Sequence, residues 1–219
     1  QTGPRMPFDN DWSTGTDGLV LLNGVILAAE GTPSPVAGRS YEVLFPATEV
    51  ALNDLGQHAF TATLDGDRTT DFLLVKNGLK YVQDGDVLPA FAPHALAIGS
   101  GAPLFLANSG DLFWFASTDD PDASRDQAFM RNREVLVQEG VTQLGGLTVT
   151  RAPSMSEAYS VSPSGRFWIG EVVLQGNVDA LVTMDFGAAL PLAGCASNPA
   201  SLELASGGVR VGQTLTLAM

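Results

Sequence analysis

The chain is short of the side chains that most metal and nucleophile chemistry needs. Among its 219 residues there is one cysteine, Cys195, two histidines, His58 and His94, and two lysines, Lys76 and Lys80. A single cysteine cannot form an intrachain disulfide; it leaves either a free thiol or a bond to a cysteine elsewhere. Two histidines and one cysteine are too few to assemble a zinc or copper centre within one chain. Positive charge is scarce too: 11 Lys and Arg stand against 24 Asp and Glu, a net charge of −13. A nucleic-acid backbone needs a basic footprint, so nucleic acid is not expected as a partner. Anionic membrane surfaces are disfavoured on the same ground. No apolar run reaches the length of a membrane-spanning helix, so no membrane insertion is expected. No serine sits in a G-x-S-x-G elbow, and Gly99-Ser100-Gly101 lacks the lysine and helix of a phosphate loop.

What the chain has in abundance is turn chemistry at a fixed period. Gly56 in ALNDLGQHAF, Gly110 in LANSGDLFWF and Gly165 in SPSGRFWIGE lie 54 and 55 residues apart. Asn23-Gly24, Asn77-Gly78 and Asn132-Arg133 keep the same spacing, as do the acid-glycine pairs Glu30-Gly31, Asp84-Gly85 and Glu139-Gly140. A fourth series is Asp17, Asp71 and Asp126, with Asp179 read as a further copy. Self-similarity at this period is the signature of blades or solenoid units.

Each unit can be built from these turns. Asn-Gly between apolar runs is a strong hairpin signal, because both central residues need positive φ. One unit then has four short antiparallel strands, A to D, with the N-x-x-G turn joining A to B and Asn-Gly joining C to D. The B segments LFWF at 112–115 and FWI at 167–169 are apolar at consecutive positions, which requires cover on both faces. Stacked four-stranded blades supply that cover. The expected fold is therefore all-β, a β-propeller-like array with a period of about 54 residues, either four-bladed or an open fragment. Phe60, Trp114 and Ile169 are expected to fill equivalent positions between blades. Residues 121–138 have some helical character, with Ser124 as a cap, but Asn132 falls in the hairpin register and argues for strands.

The chain divides into two regions. Residues 1–187 form the repeat domain. It comprises a worn first unit whose B strand is read in 1–16, two units of four strands, and a last unit lacking its D strand. Residues 188–219 change composition and offer two strands, SLELAS and VRVGQTLTLA. These either pair with Asp17 to Ala29 and close a fourth blade, or begin a second β domain. Gln1 in place of Met suggests a removed leader or a fragment, and the ending within GQTLTLAM suggests that the natural chain continues.

The pattern N-x-x-G-x-x-A-F-x-A-x-L over Asn53 to Leu64, followed by x-N-G-x and an acid-glycine pair, resembles uncharacterised propeller-like repeat regions of large secreted bacterial proteins. The segment from Gly194 onward is similar to the linker and first strands of a C-terminal module in such proteins. The resemblance covers most of the chain and implies repeat architecture and a secreted or cell-surface location. It implies no catalytic residues and no cofactor.

The remaining candidates are carboxylates in loops. Asp65, Asp67, Asp84 and Asp86 form two Asp-Gly-Asp triplets. Aspartate caps turns on its own account, and calcium is the functional alternative because hard oxygen ligands in loops suit it. With Asp119, Asp120 and Asp122 they are also the candidates for paired-carboxylate glycoside hydrolysis. His58 aligns with apolar Leu112 and Phe167 and is expected to be packed, while His94 in FAPHAL is expected to be exposed. Three functions remain open: a secreted non-catalytic scaffold that binds protein or glycan through blade loops, a loop-carboxylate hydrolase, and a structural subunit that assembles with itself through open strand edges.

Overall fold

The computed structural model describes residues 18–44, 49–98, 104–155 and 158–187, and the backbone of 214–217. The readings of residues 1–16, of the strand SLELAS and of Cys195 lie outside the described residues. The described residues hold 17 β-strands and no α-helix.

The units succeed one another as expected. The hairpin β1 (Leu19–Leu22) and β2 (Val25–Ala29) is the C–D pair of the first unit, here unit 0. Unit 1 comprises β3 (Tyr41–Val43), β4 (Val50–Leu52), β5 (His58–Leu64), β6 (Phe72–Lys76) and β7 (Leu79–Gln83). Unit 2 comprises β8 (Leu104–Leu106), β9 (Leu112–Ser117), β10 (Gln127–Arg131) and β11 (Glu134–Gln138). The hairpin β12 (Gln143–Leu144) to β13 (Leu147–Arg151) leads into unit 3, which continues with β14 (Tyr159–Val161), β15 (Phe167–Leu174) and β16 (Val178–Asp185). The 121–138 segment is hairpin rather than helix. At the Asn-Gly turns both residues are left-handed, with φ of 51° and 79° at Asn23 and Gly24 and of 51° and 76° at Asn77 and Gly78.

Three features differ from expectation. The A position is a broken strand: β3 and β4 pair with opposite halves of β5, and β13 and β14 do the same with β15. In unit 2 the first half is reduced to the bridge between Leu96 and Thr118. Secondly, the tail strand β17 (Thr214–Leu217) runs parallel to β16, so that Leu181 faces Thr214 and Met184 faces Leu217. Thr214–Leu217 thus lie beside β16 in the D position of unit 3; the pairing expected of the rest of the tail with the first hairpin lies outside the described residues. No Asn-Gly turn follows Asp185, so an antiparallel partner from a tight hairpin is not available there.

Thirdly, the register of unit 3 is shifted. Its A–B turn is one residue longer, with the Ser162 amide bonded to the Phe167 carbonyl where Asn53 bonds to Gln57 and Ala107 to Asp111. Leu52 pairs with His58, Leu106 with Leu112, and Val161 with Trp168. Phe60 and Trp114 therefore correspond to Gly170, not to Ile169. A one-residue shift exchanges the faces of a strand, and Ile169 is only half-buried. The aromatic still arrives, because Trp168 lies on the same face two residues earlier and covers Gly170. A Cβ on Gly170 would sit 2.2 Å from Cζ2 of the Trp168 ring. Asp179 is exposed at the strand start, and the same shift takes it out of the aspartate series.

The alternation of side chains gives every unit two faces. The rear face carries Phe60 and Val75 in unit 1, Trp114 and Met130 in unit 2, and Trp168 and Met184 in unit 3. The front face carries Ala59, Phe113 and Ile169 at the corresponding places. The front of each unit packs on the rear of the next: Phe129 of unit 2 lies 5.4 Å from Trp168 and 4.5 Å from Tyr159, centroid to centroid. The rear of unit 1 packs on Val20 and Ala28 of the first hairpin. Trp114, Trp168, Phe60, Phe113 and Phe129 are all fully buried in these layers, which is where most of the hydrophobic stabilisation resides.

Candidate functional site

Two ends of the sheets can present loops. The A–B and Asn-Gly turns share one end, as the bond from the His58 amide to Asn77 Oδ1 (2.9 Å) and its counterpart from Leu112 to Asn132 Oδ1 (3.0 Å) show. The B–C loops and the D-to-A connections share the other.

At the first end the turns stack at the repeat period. Asn53 Oδ1 accepts the amides of Leu55 and Gln57, and its Nδ2 donates to Gln57 Oε1 (2.7 Å) and, across the unit boundary, to the Ala107 carbonyl (2.8 Å). Asn108 meets Asp54 twice, accepting its amide at 2.9 Å and donating Nδ2 to its carboxylate at 2.7 Å. The Asn108 amide donates to the Pro163 carbonyl at 2.7 Å. Beside this ladder Asp111 accepts from Arg131 (2.7 Å), Asn132 (2.6 Å) and Ser109 (2.9 Å). Burial pushes the Asp111 carboxyl upward, but these three donors together hold it below the usual value. Polar chemistry at this end is occupied with joining neighbours.

At the second end the acid-glycine series has a common role. Glu30 Oε1 accepts the Leu44 amide (2.8 Å), Asp84 Oδ1 the Ile98 amide (2.5 Å), and Glu139 Oε1 the Ala152 amide (3.0 Å). Leu44, Ile98 and Ala152 are the residues where the A strand breaks. The following glycine amides donate to Tyr41, Leu96 and Val149. Each acid-glycine pair thus clasps the end of a D strand to the broken A strand ahead of it. Burial raises the Asp84 carboxyl to about 6, and burial likewise raises Glu139.

The four candidate calcium ligands lie at this end, each with its own partner. Asp65 accepts the Ser40 amide (2.9 Å) and faces Arg39. Asp67 closes a turn on the amide and hydroxyl of Thr69, which hold its carboxyl below the usual range. Asp84 is the clasp acid. Asp86 accepts the Gln83 amide (3.0 Å) and Lys80 Nζ (2.8 Å). Among the described residues no group of three or more His, Cys, Asp or Glu side chains converges as a metal site would require.

The structure brings together one cluster that spacing did not reveal. His94 stands between Asp119 (Nδ1 to Oδ1, 3.6 Å) and Asp120 (Nε2 to Oδ2, 3.4 Å), and Asp120 also binds Arg125 Nε at 2.8 Å. His94, Asp120 and Arg125, with Phe91, Thr118 and Gln138, line a hollow of about 330 Å³. His94 is therefore half-buried rather than exposed. The bridge between Leu96 and Thr118 brings the two loops together. The cluster is self-satisfied: each imidazole nitrogen faces a carboxylate, and the Asp122 amide and Arg125 hold the Asp120 carboxyl below its usual value. Cysteine and lysine, the stronger nucleophiles, are absent from its lining.

Two further hollows lie between or on the sheets. One, of about 410 Å³, is lined by Leu22, Leu44, Leu52, Phe60 and His58, whose ring nitrogens are buried without a hydrogen bond. The other, of about 510 Å³, lies on the front of unit 3 and includes Asp185, which a two-point bond to Arg166 lowers to about 2. None of the three hollows is lined by two carboxylates. No protein-family description, curated protein or solved structure matches the chain. No helix among the described residues is long and apolar enough to cross a membrane.

Proposed function

We propose that the chain is a secreted or cell-surface repeat scaffold. Its units stack in propeller-like order and bind a protein or glycan through loops at the B–C and D-to-A end. The observation that carries this reading is the commitment of the carboxylates at that end. Asp65, Asp67, Asp84, Asp86 and Asp120 each accept bonds from an amide or a cation within the chain. Paired-carboxylate hydrolysis needs two carboxyl groups about 5–10 Å apart facing one cleft, and none of the three hollows holds such a pair. Loops held rigid by a stacked framework are well suited to recognition. The resemblance to secreted bacterial repeat regions supports the same location.

Affinity electrophoresis through gels containing a panel of soluble polysaccharides, paired with a reducing-end assay on the same panel, tests the proposal. Retardation without release of reducing ends is expected, and Arg125→Ala should weaken it. Release of reducing ends that disappears in Asp120→Asn would overturn the non-catalytic reading. Failure of every polysaccharide to retard the chain would remove glycan from the proposal and leave protein as the ligand.

A further inference from the structure

Among the described residues every front face between units is covered by a rear face, and one of each is left uncovered. The front of unit 3 carries Phe167, 49% exposed, Leu181, 44% exposed, and half-buried Ile169. Together with Ser160 and Thr183, Phe167 and Ile169 line the hollow of about 510 Å³. One unit earlier the same place is filled. Phe186 of unit 3 sits 6.0 Å from Phe113 and beneath the Arg131 guanidinium, 4.4 Å from its centre. Phe113 and Arg131 correspond to Ile169 and Thr183. The hollow is thus the empty counterpart of a socket that the array fills between units 2 and 3. At the other end, the first hairpin turns Val20 and Ala28 toward unit 1 and presents Leu21, 55% exposed, and Ile26, 46% exposed, on its rear.

We propose that these two faces bind each other across chains, the rear of the first hairpin of one copy docking on the front of unit 3 of a second copy. The argument is continuity. Among the described residues the occupant of a covered front face is the rear face of another unit of the same repeat, and one face of each kind is left uncovered. Exposed apolar sheet faces of this kind mark interaction surfaces. Glu171 and Asp179 are both exposed toward the edge of the unit 3 face, giving the polar rim expected around an apolar centre. The contact joins two different patches, so it is head-to-tail and propagates or closes into a ring. It is separate from the loop end invoked for ligand binding, and its test reads mass rather than ligand.

The experiment is sedimentation equilibrium of the full chain from low micromolar to submillimolar concentration. The wild type should gain mass with concentration. Leu21→Asp and Leu181→Asp should each be monomeric with unchanged melting, since both positions are exposed. An equimolar mixture of the two should form a dimer that grows no further, because each variant keeps one intact face. Ile26→Asp and Phe167→Glu repeat the test should either first variant fail to fold. A wild type that stays monomeric throughout would overturn the proposal, as would a mixture that remains monomeric. A Leu21→Asp variant that associates like the wild type would also overturn it, since the front faces would then be meeting each other.

Discussion

Asn53→Ala is the sharpest test of the turn ladder. The residue is 8% exposed and its side chain makes four hydrogen bonds, two as acceptor within its own turn and two as donor. Truncation leaves the Leu55 and Gln57 amides without their acceptor, while the carbonyl of fully buried Ala107 loses one of two donors and keeps the Gly110 amide. An orphaned buried polar group costs about 1–3 kcal/mol, and each net hydrogen bond about 1 kcal/mol. With solvent reaching the exposed Leu55 amide, the expected loss is about 3 kcal/mol. For a chain of this size that is a fall in melting temperature of about 6–12 °C. Asn53→Asp separates donor from acceptor. It keeps the acceptor to Leu55 and Gln57 but turns a second carboxylate oxygen toward two acceptors, Gln57 Oε1 and the Ala107 carbonyl. At neutral pH it should be at least as damaging as alanine. Below its own pKa it should recover in part, because the protonated acid regains a donor. Urea melts followed by tryptophan fluorescence would measure both. A loss below about 0.5 kcal/mol for Asn53→Ala, within the range of an ordinary surface change, would refute the argument. So would an aspartate variant as stable as the wild type at pH 7.

Other outcomes rest on the same contacts. Gly170→Ala should destabilise the chain strongly and red-shift its tryptophan emission, because the new methyl collides with the Trp168 ring; a silent variant would disprove the register of unit 3. Trp114→Ala should cost about 3–5 kcal/mol, as large core aromatics do, whereas Ile169→Ala should cost much less in the same denaturant melt. Asp84 is raised in the folded state, so its contribution to stability is fully present below its unfolded pKa, near 3.8, and is lost as pH rises through about 6. A fully buried group so shifted would contribute about 3 kcal/mol, and half-exposure reduces this to about 1 kcal/mol. Asp84→Asn should therefore flatten the melting profile between pH 4 and 6, and an unchanged profile would refute the clasp's charge penalty. Millimolar calcium or EDTA should leave the melting temperature unchanged, and a rise of several degrees with calcium would instead place a cation among Asp65, Asp67, Asp84 and Asp86.

The parts of the fold legible in the sequence were those fixed by local backbone geometry. Asn23-Gly24 and Asn77-Gly78 adopt the left-handed pair that a tight hairpin demands, and their spacing carried the unit boundaries and overrode the helical character of 121–138. Register in unit 3 was not legible, because one added residue between Ser162 and Phe167 moves Trp168 into the layer assigned to Ile169. Both are large and apolar, so composition does not distinguish them. The clasp acids were visible as a series but read as turn formers, because their partners Leu44, Ile98 and Ala152 contribute only an amide, which any residue but proline has. The cluster around His94 escaped notice because no spacing links FAPHAL to Thr118–Arg125 until the strands pair.

The turn ladder bears on how alike the copies can become. Stacking at one period sets each turn residue against its own counterpart, so duplication places like beside like. Were unit 2 a faithful copy of unit 1, Asp54 would face an aspartate instead of Asn108, with two negative charges and no side-chain donor between them. The third turn is tighter still. A Cβ on Gly165 would lie 2.8 Å from that of Ala107, so a faithful Asn at 107 would crowd it further. The differences among the turns NDLG, ANSG and SPSG therefore have a physical use in the stack. They are the alternation that a stack of neighbours in self-contact demands, much as adjacent tiles in a mosaic need edges that differ in order to fit.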